Sequence, residues 1–471
     1  MNKPGGGEIA MDRIFERLAD IVGSDYVSNA AEERFIYSRD GGVQMPHEPD
    51  YVVLPNTTEE VQKIILLANE EKIPVVPMGG GLVLSGLSIP LKGGIVLDMK
   101  RMNRIIEVNE KSHYAVVEAG TALGMLSAYL NKHHPSLKNS LPDAPPVATV
   151  AGNIMIHGSG HLSQSEGGFH SEMVTGLEVV LPTGKIVKLG SCSTVPYWFS
   201  RAPLPDLAGL FLGWNGTTGI ITKVGIKLFP RPLLNDGLMF MTEDVDTVPD
   251  IMFRIVNTEM CEDLTFFITP KPAMFEGFQM TIISITANSE KEMRLKKEII
   301  RDALRDYYES KEAGFVPVPK EMKAFLLEAP QKNLSAFADV RKGGGFEYVG
   351  AIIPVEKIPD AYRAGLDIAA KNGITYSLGG RMIGRGHSFM FYFAYPFNRA
   401  DKEDMDRVRQ ALDDTNHAAL KMGGIPWKAE VSGQQLILKQ MEPSTYEFMQ
   451  DIRKLLDPNG IMNPGNWEVN S

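Results

Sequence analysis

The run Pro74-Val75-Val76-Pro77-Met78-Gly79-Gly80-Gly81-Leu82-Val83-Leu84-Ser85-Gly86-Leu87 constrains this chain more than any other stretch. An apolar, strand-like segment enters three consecutive glycines. Glycine brings bare backbone N–H groups close to a ligand and adopts positive φ without penalty. Donors gathered in that way form a nest for phosphate oxygens. Viewed alone, the loop reads either as a pyrophosphate holder or as a flexible turn between strands.

Its surroundings narrow the choice. Residues 9–39 carry Ile14, Leu18, Ile21 and Val22 at helical spacing. A short strand at 51–54 precedes Asn56-Thr57-Thr58-Glu59-Glu60, a helix cap with an acidic first turn. Val61, Ile64, Ile65 and Ala68 then share one helix face, and a strand at 73–76 feeds the glycines. Strand–helix–strand also suits a Rossmann unit, but that fingerprint requires the glycine loop to open a helix directly. Here residues 87–94 lead instead to strands at 95–98, 105–108 and 115–119, followed by a helix at 122–131. The predicted class is α+β, with phosphates held by a loop rather than a helix end.

Residues 141–153 read as an extended, proline-pinned segment, followed by His157-Gly158-Ser159-Gly160-His161. Strands at 174–181 and 186–189 straddle Pro182-Thr183-Gly184-Lys185, a hairpin signature. A strand at 224–229 ends at Pro230-Arg231-Pro232, the predicted domain border. Beyond it the order strand, helix, two strands, helix occurs twice. This predicts one continuous antiparallel sheet with helices on one face, a domain able to cap a cofactor. The charged segment 309–342 between the halves reads as an irregular connector or lid.

Composition excludes several classes. A net charge of −10 argues against a nucleic-acid binder. Two cysteines, Cys192 and Cys261, are too few for an iron–sulfur cluster or a disulfide framework. No apolar stretch approaches the ~20 residues that span a bilayer, and residues 1–8 lack a signal-peptide core. A cytoplasmic protein is expected.

By Gly219 the chain resembles the vanillyl-alcohol-oxidase / p-cresol-methylhydroxylase superfamily, in particular its FAD-linked oxidases. The resemblance is carried in order by residues 77–86, 94–105, Pro142-Asp143-Ala144, Thr149-Val150-Ala151-Gly152-Asn153, 176–184, Gly216-Thr217-Thr218-Gly219-Ile220-Ile221 and, at the far end, 456–465 with Asn463-Pro464. It implies a two-part FAD-binding domain of the p-cresol-methylhydroxylase type over 1–231, a cap of ferredoxin-like repeats over 232–454, and a tail at 455–471 returning to the flavin. Met78, Gly79, Gly80, Gly81, Leu82, Val83, Leu84 and Ser85 would line the pyrophosphate. Pro142, Asp143, Ala144, Thr149, Gly152 and Asn153 would run along the flavin, with His157, Gly158, Ser159 and His161 close to its ring. Gly216, Gly219 and Ile221 would border the adenine end, and Asn463 the isoalloxazine. Several members tether FAD through a histidine one place after the glycines. Leu82 holds that place here, so a dissociable FAD is expected.

Two chemistries are implied by different branches of this family. The glycolate / D-lactate dehydrogenase branch moves the α-hydrogen of a 2-hydroxy acid as hydride to flavin N5, with an arginine for the carboxylate and a base for the hydroxyl. Its metal motif falls on 381–389, where Met382 and Phe389 replace the histidines and Arg385 the aspartate, leaving Glu430 of the later ligands; no metal is expected. The branch that oxidises para-substituted phenols places a carboxylate where this chain has Ile156, beside His157. The candidate catalytic residues are Arg381, Arg385 and His387, taken as an anion clamp and base on a cap turn or else as solvated turn charges, and Glu430. His157 and His161 are either bases or cofactor hydrogen-bond partners. The expected reaction is oxidation of a small hydroxy acid, with a phenol oxidase or a non-catalytic electron relay as alternatives. Electrons would pass to a partner, an electron-transfer flavoprotein or iron–sulfur subunit, from a homo-oligomer or a subunit of a complex.

Overall fold

The computed structural model describes residues 6–140, 144–268, 277–310, 313–318, 344–374 and 377–469. The expected single helix over 9–39 is two, α1 (Gly6–Val22) and α2 (Ala31–Tyr37). Gly23, at φ 90°, ends α1, and β1 (Val27–Ser28) leaves to pair with β2 (Tyr51–Val53). Thr57 caps α3 (Thr58–Glu71) by accepting from Glu60 N–H, and Val61, Ile64, Ile65 and Ala68 are buried. β3 (Val75–Met78) and β2 both run parallel to β4 (Ile95–Asp98), in the order β1-β2-β4-β3. The glycines therefore leave the end of a parallel edge strand. The C-terminal tail joins that edge: Val75 N–H donates to the Ile461 carbonyl at 2.7 Å and Asn463 N–H to the Val75 carbonyl at 2.9 Å.

A second layer comprises β5 (Ile105–Asn109), β6 (Tyr114–Glu118), the short β7 (Leu137–Lys138), β8 (Val174–Val180), β9 (Ile186–Gly190), β10 (Ile220–Lys227) and the short β11 (Phe229–Pro230). Five of them form the antiparallel sheet β5-β6-β10-β8-β9, and β7 pairs with β11. Helices α4 (Leu123–His133) and α5 (Val150–Met155) pack on this layer. The reading of 141–153 as extended is corrected at its end: Thr149 caps Gly152 N–H and starts α5. Apolar residues of both layers form one core.

The cap is an eight-stranded antiparallel sheet. Its strands are β12 (Leu234–Thr242), β13 (Asp263–Ile268), β14 (Gln279–Ala287), β15 (Ala313–Val316), β16 (Gly344–Ile353), β17 (Ser377–Ile383), β18 (Ser388–Asn398) and β19 (Ile425–Trp427). The spatial order is β15-β12-β14-β13-β17-β18-β16-β19. The expected doubling is present: each half runs strand, helix, two strands, helix, and β13 joins β17 at the centre with Thr265 opposite Arg381. α6 (Val248–Asn257), α7 (Glu290–Ala303), α8 (Ile358–Asn372) and α9 (Lys402–Lys421) cover one face over Phe240, Leu264, Phe266, Ile283, Phe391 and Phe393. Within the expected connector, Ala313–Val316 pairs with β12 as an edge strand; residues 319–342 of it lie outside the described residues.

The two domains interlock through residues 40–43. Val43 is fully buried in the cap core, its N–H donating to Glu347 Oε2 at 3.0 Å and its carbonyl accepting from Arg409 Nε at 2.6 Å. A Cβ on Gly42 would lie 2.0 Å from the Leu84 carbonyl oxygen, so the strap passes directly over the segment that follows the glycines.

Gly365 on α8 shows how tightly the cap is packed, since a Cβ there would lie 1.8 Å from Phe393 Cε1. Ala is ~1 kcal/mol the better helix former, but overpacking a buried ring costs ~1–3 kcal/mol. Gly365→Ala should therefore lower the thermal midpoint by a few degrees; a raised midpoint would show that helix propensity governs this position.

Candidate cofactor cleft and substrate face

The glycine loop opens onto a cleft. Its walls come from distant stretches: Met78 to Val83; Ala148, Thr149, Gly152 and Asn153 around the start of α5; Met155 and Ile156 at its end; Met99, Ala119, Ile220 and Ile221 from the sheets; and Lys428 from the cap. From Gly79 to Ser85, seven consecutive backbone N–H groups donate to no described residue. Gly86 N–H is the first that does, to Asp40 Oδ2 at 2.7 Å. The loop is half-buried, and polar groups withdrawn from water without partners are costly. A Cβ on Gly79 would lie 2.2 Å from Thr149 Oγ1, and one on Gly80 3.2 Å from the Val147 carbonyl. Glycine is thus demanded by the close approach of two loops, leaving the N–H groups for a ligand.

Not every residue expected at the cofactor lines this cleft. Met78, Gly79, Gly80, Gly81, Leu82, Val83, Ala144, Thr149, Gly152, Asn153 and Ile221 do. Leu84 and Ser85 continue the loop behind the wall. Gly216 and Gly219, at φ 75° and 157°, shape the chain around it, a Cβ on Gly216 falling 2.5 Å from Pro77 Cγ. Asn463 is buried; its side chain donates to the Leu87 and Asn215 carbonyls at 3.1 and 2.6 Å, while its Oδ1 has no partner among the described residues. It therefore holds the lining residue Asn215 from behind. Pro142 and Asp143 lie outside the described residues. Met99, Ala119, Met155, Asn215 and Lys428 were not anticipated; single residues on separate strands and turns leave no local signal.

The alternation of the cap strands assigns their side chains. Leu264, Phe266, Leu378, Met382, Phe389 and Phe391 belong to the helix-covered core. Asp263, Thr265, Phe267, Arg381, Met390 and Tyr392 occupy the opposite face. Gly379 and Gly350 stand on that face where rings cross the strands, their Cβ positions 2.7 Å from Tyr392 Oη and 3.0 Å from Trp427. Trp427 ties the face to the first domain by donating from Nε1 to the His157 carbonyl at 2.9 Å. Lys428 follows, with Nζ 3.8 Å from the Trp427 ring centroid.

Arg381 is not on a turn, as expected, but inside β17, buried and ion-paired with Asp263 on β13. Gly379 and Gly380 before it are strand positions cleared for Tyr392 and Phe389. Arg385 occupies the turn itself, 63% exposed, with Nε donating to the Ser165 carbonyl at 3.1 Å. His387 is also exposed, and neither residue lines the cleft. Glu430 is buried and accepts from Asn416 Nδ2 at 2.6 Å and Ser432 Oγ at 2.8 Å. Burial raises its pKa against those bonds, and it braces the segment that carries Lys428.

Charged groups meet across the domain boundary. Glu262 Oε1 accepts from Lys138 Nζ at 2.6 Å and faces His161 Nδ1 at 3.3 Å. Burial alone would raise the Glu262 pKa; the bond from His161 and the charge of Lys138 outweigh it and hold the carboxyl at about 2. Burial pulls His161 down, but its bond to Glu262 and the nearby Asp263 outweigh that and leave it raised. His157, bonded through Nδ1 to Ser171 Oγ at 2.7 Å, has no acid partner among the described residues, and burial lowers it. Ser159 and Gly158 are buried in the turn between these histidines.

Two family models match the chain: the FAD binding domain over residues 49–190 and the C-terminal domain of FAD linked oxidases over residues 282–467. The glycolate oxidase subunit GlcD of Bacillus subtilis is 28% identical, over 96% of this chain and 95% of its own length. A D-lactate dehydrogenase of Anaerostipes hadrus is 25% identical, over 97% of this chain and 95% of its own. Among solved structures, 4-ethylphenol oxidase from Gulosibacter chungangensis matches with a TM-score of 0.84 at 22% identity, over 100% of this chain and 99% of that one. p-Cresol methylhydroxylase with substrate bound matches at 0.84 and 19%, over 99% and 98%. At such identities the structural likeness speaks for the fold.

The Glu262–His161 pair should make stability pH-dependent in both directions. A carboxyl whose folded pKa is depressed stabilises above its unfolded value, ~4.3, and loses that contribution as pH falls towards about 2. An imidazole whose folded pKa is raised stabilises below its unfolded value, ~6.5, and loses that contribution as pH rises through the folded one. In thermal melts, Glu262→Gln should fall furthest below the parent between pH ~5 and ~6, with the gap closing on both sides. A gap independent of pH would dissociate the pair from stability.

Proposed function

We propose, from the premise that this chain belongs to the FAD-linked oxidases, that it oxidises the CH–OH group of a small hydroxy acid. FAD is its cofactor, and the cleft fits it by its own chemistry. The N–H groups from Gly79 to Ser85, without acceptors among the described residues, suit a pyrophosphate, and the Met, Ile and Ala walls suit flat apolar rings. Leu82 carries no nucleophile, so FAD is held there without a covalent bond. When bound, it supplies the hydride acceptor.

The observation that carries the substrate class is the charge of the cleft. Among the described residues that line it, Lys428 is the cationic one and none is a carboxylate. An ammonium there pairs with a substrate carboxylate, and Arg381 on the same sheet face, tempered by Asp263, adds positive potential. His161 is the better base of the two histidines near the glycines. Glu262 stabilises the imidazolium that forms when the hydroxyl proton is taken, whereas burial opposes charge on His157. Electrons then leave to a protein partner; Cys192 and Cys261 are single buried thiols, and the relative GlcD is itself a subunit. A second reading, oxidation of a para-substituted phenol, is favoured by Tyr392 and Trp427 on the same face.

Anaerobic mixing separates the readings. D-lactate or glycolate should bleach the flavin and a 4-alkylphenol should not; the reverse supports the phenol reading. Bleaching by neither, with reoxidation of chemically reduced flavin by a partner protein, supports a relay. Lys428→Met should raise the apparent KM for the acid ~10–100-fold, the loss of a charge-assisted bond of ~1.5–3 kcal/mol; an unchanged KM removes Lys428 from the carboxylate.

The phosphate loop has its own test. Gly79→Ala should push Thr149 off its cap on Gly152 and weaken FAD binding at least ~10-fold by titration of the apoprotein, for the loss of one or two hydrogen bonds. Unchanged affinity would place the phosphates elsewhere.

A further inference from the structure

Behind the cleft wall runs a chain of buried polar groups that the reaction above does not use. The Asn153 side-chain amide, at the cleft, meets His170 Nδ1 with the atom assigned as Oδ1, an assignment that proton counting reverses. The other ring nitrogen, Nε2, lies 2.7 Å from Ser140 Oγ, and Ser140 Oγ bonds the His161 carbonyl oxygen. His170 is 2% exposed. A Cβ on Gly158 would lie 2.2–2.6 Å from the end atoms of the Asn153 side chain, so the amide sits flat against that glycine.

Proton counting along the chain decides the orientation of the amide, which positions of N and O alone do not. A carbonyl oxygen only accepts, so the single Ser140 hydroxyl proton belongs to the His161 carbonyl. Ser140 Oγ then accepts from His170, which puts the ring proton on Nε2. Nδ1 of the neutral ring is a bare lone pair, and the NH₂ half of the Asn153 amide is the donor that meets it. In the opposite tautomer Ser140 would donate to Nε2 and leave two oxygens facing each other with no proton between them. An imidazolium would donate from both nitrogens and admit the reversed amide. Burial, with Arg381 and Lys428 nearby, pushes His170 down to about 3 and keeps it neutral.

We propose that His170 is a positioning residue: as its Nε2–H tautomer it turns Asn153 so that the amide oxygen, not the NH₂, faces the cleft. The cleft thereby offers an acceptor to an N–H or O–H group of its ligand. The consequence for binding rests on FAD occupying the cleft; the tautomer itself does not.

Two measurements test this. In ¹⁵N-histidine-labelled apoprotein, with the His170 signals assigned from their loss in His170→Phe, Nε2 should be protonated and Nδ1 bare throughout the neutral pH range. A protonated Nδ1 overturns the proposal. In titrations of apoprotein with FAD, Ser140→Ala should weaken binding about 5–10-fold and shift the bound flavin's visible spectrum, one hydrogen bond being worth ~1 kcal/mol. Ser140→Thr, which keeps the hydroxyl, should restore both. Parental affinity and spectrum in Ser140→Ala, or no restoration by Thr, overturns the positioning role. A parent protein that takes up no FAD would instead sink the cofactor reading and leave the tautomer measurement standing.

Discussion

The unanswered backbone donors between Gly79 and Ser85 are the constraint on which the rest of the molecule depends. Seven peptide N–H groups in a half-buried loop need acceptors, and the described protein supplies none. Every nearby feature preserves that arrangement. Thr149 closes against Gly79, the 40–43 strap crosses Leu84, Asp40 takes Gly86 N–H, and the tail extends the edge from which the loop departs. The fold thus holds these donors together along one wall of the cleft, an arrangement that suits oxygen acceptors.

The cap addresses a different problem. An eight-stranded sheet has two faces, and helices cover only one. The other carries aromatic side chains together with Arg381 and Asp263, and meets the first domain through Glu262, Lys138, His161 and Trp427. Burying charges is tolerable only when they are paired, and here most pairs join the two domains. The same packing that seats the cap therefore sets the charge around the histidines: Glu262 raises His161 against its burial, and burial, with Arg381 and Lys428 nearby, holds His170 low.

Much of the architecture was legible because its signals are local. The cap of α3, the hairpin at Pro182-Thr183-Gly184-Lys185 and the doubled cap unit are written in neighbouring residues. Gly23 was misread inside a helical apolar spacing, and Arg381 was placed on a turn although Gly379 and Gly380 continue the strand before it. In both cases the glycine answers a requirement invisible nearby: a strand that must leave, and rings arriving from β18. Met99, Ala119, Asn215 and Lys428 escaped notice because nothing in their own segments marks them.

By itself the sequence made the glycine loop and the doubled cap unit legible, since nests, caps and periodicities act through residues close along the chain, and its resemblance to a known family pointed to the cofactor. Only the tertiary structure decided which charges face the cleft. Arg381 and Met382 are neighbours in sequence, yet one stands on the polar face and the other in the apolar core, because successive strand residues point to opposite sides. Likewise Lys428 becomes a cleft residue only because β19 pairs at the far edge of the sheet and Trp427 anchors it to His157. Parity and register are properties of the assembled sheet, not of any one segment.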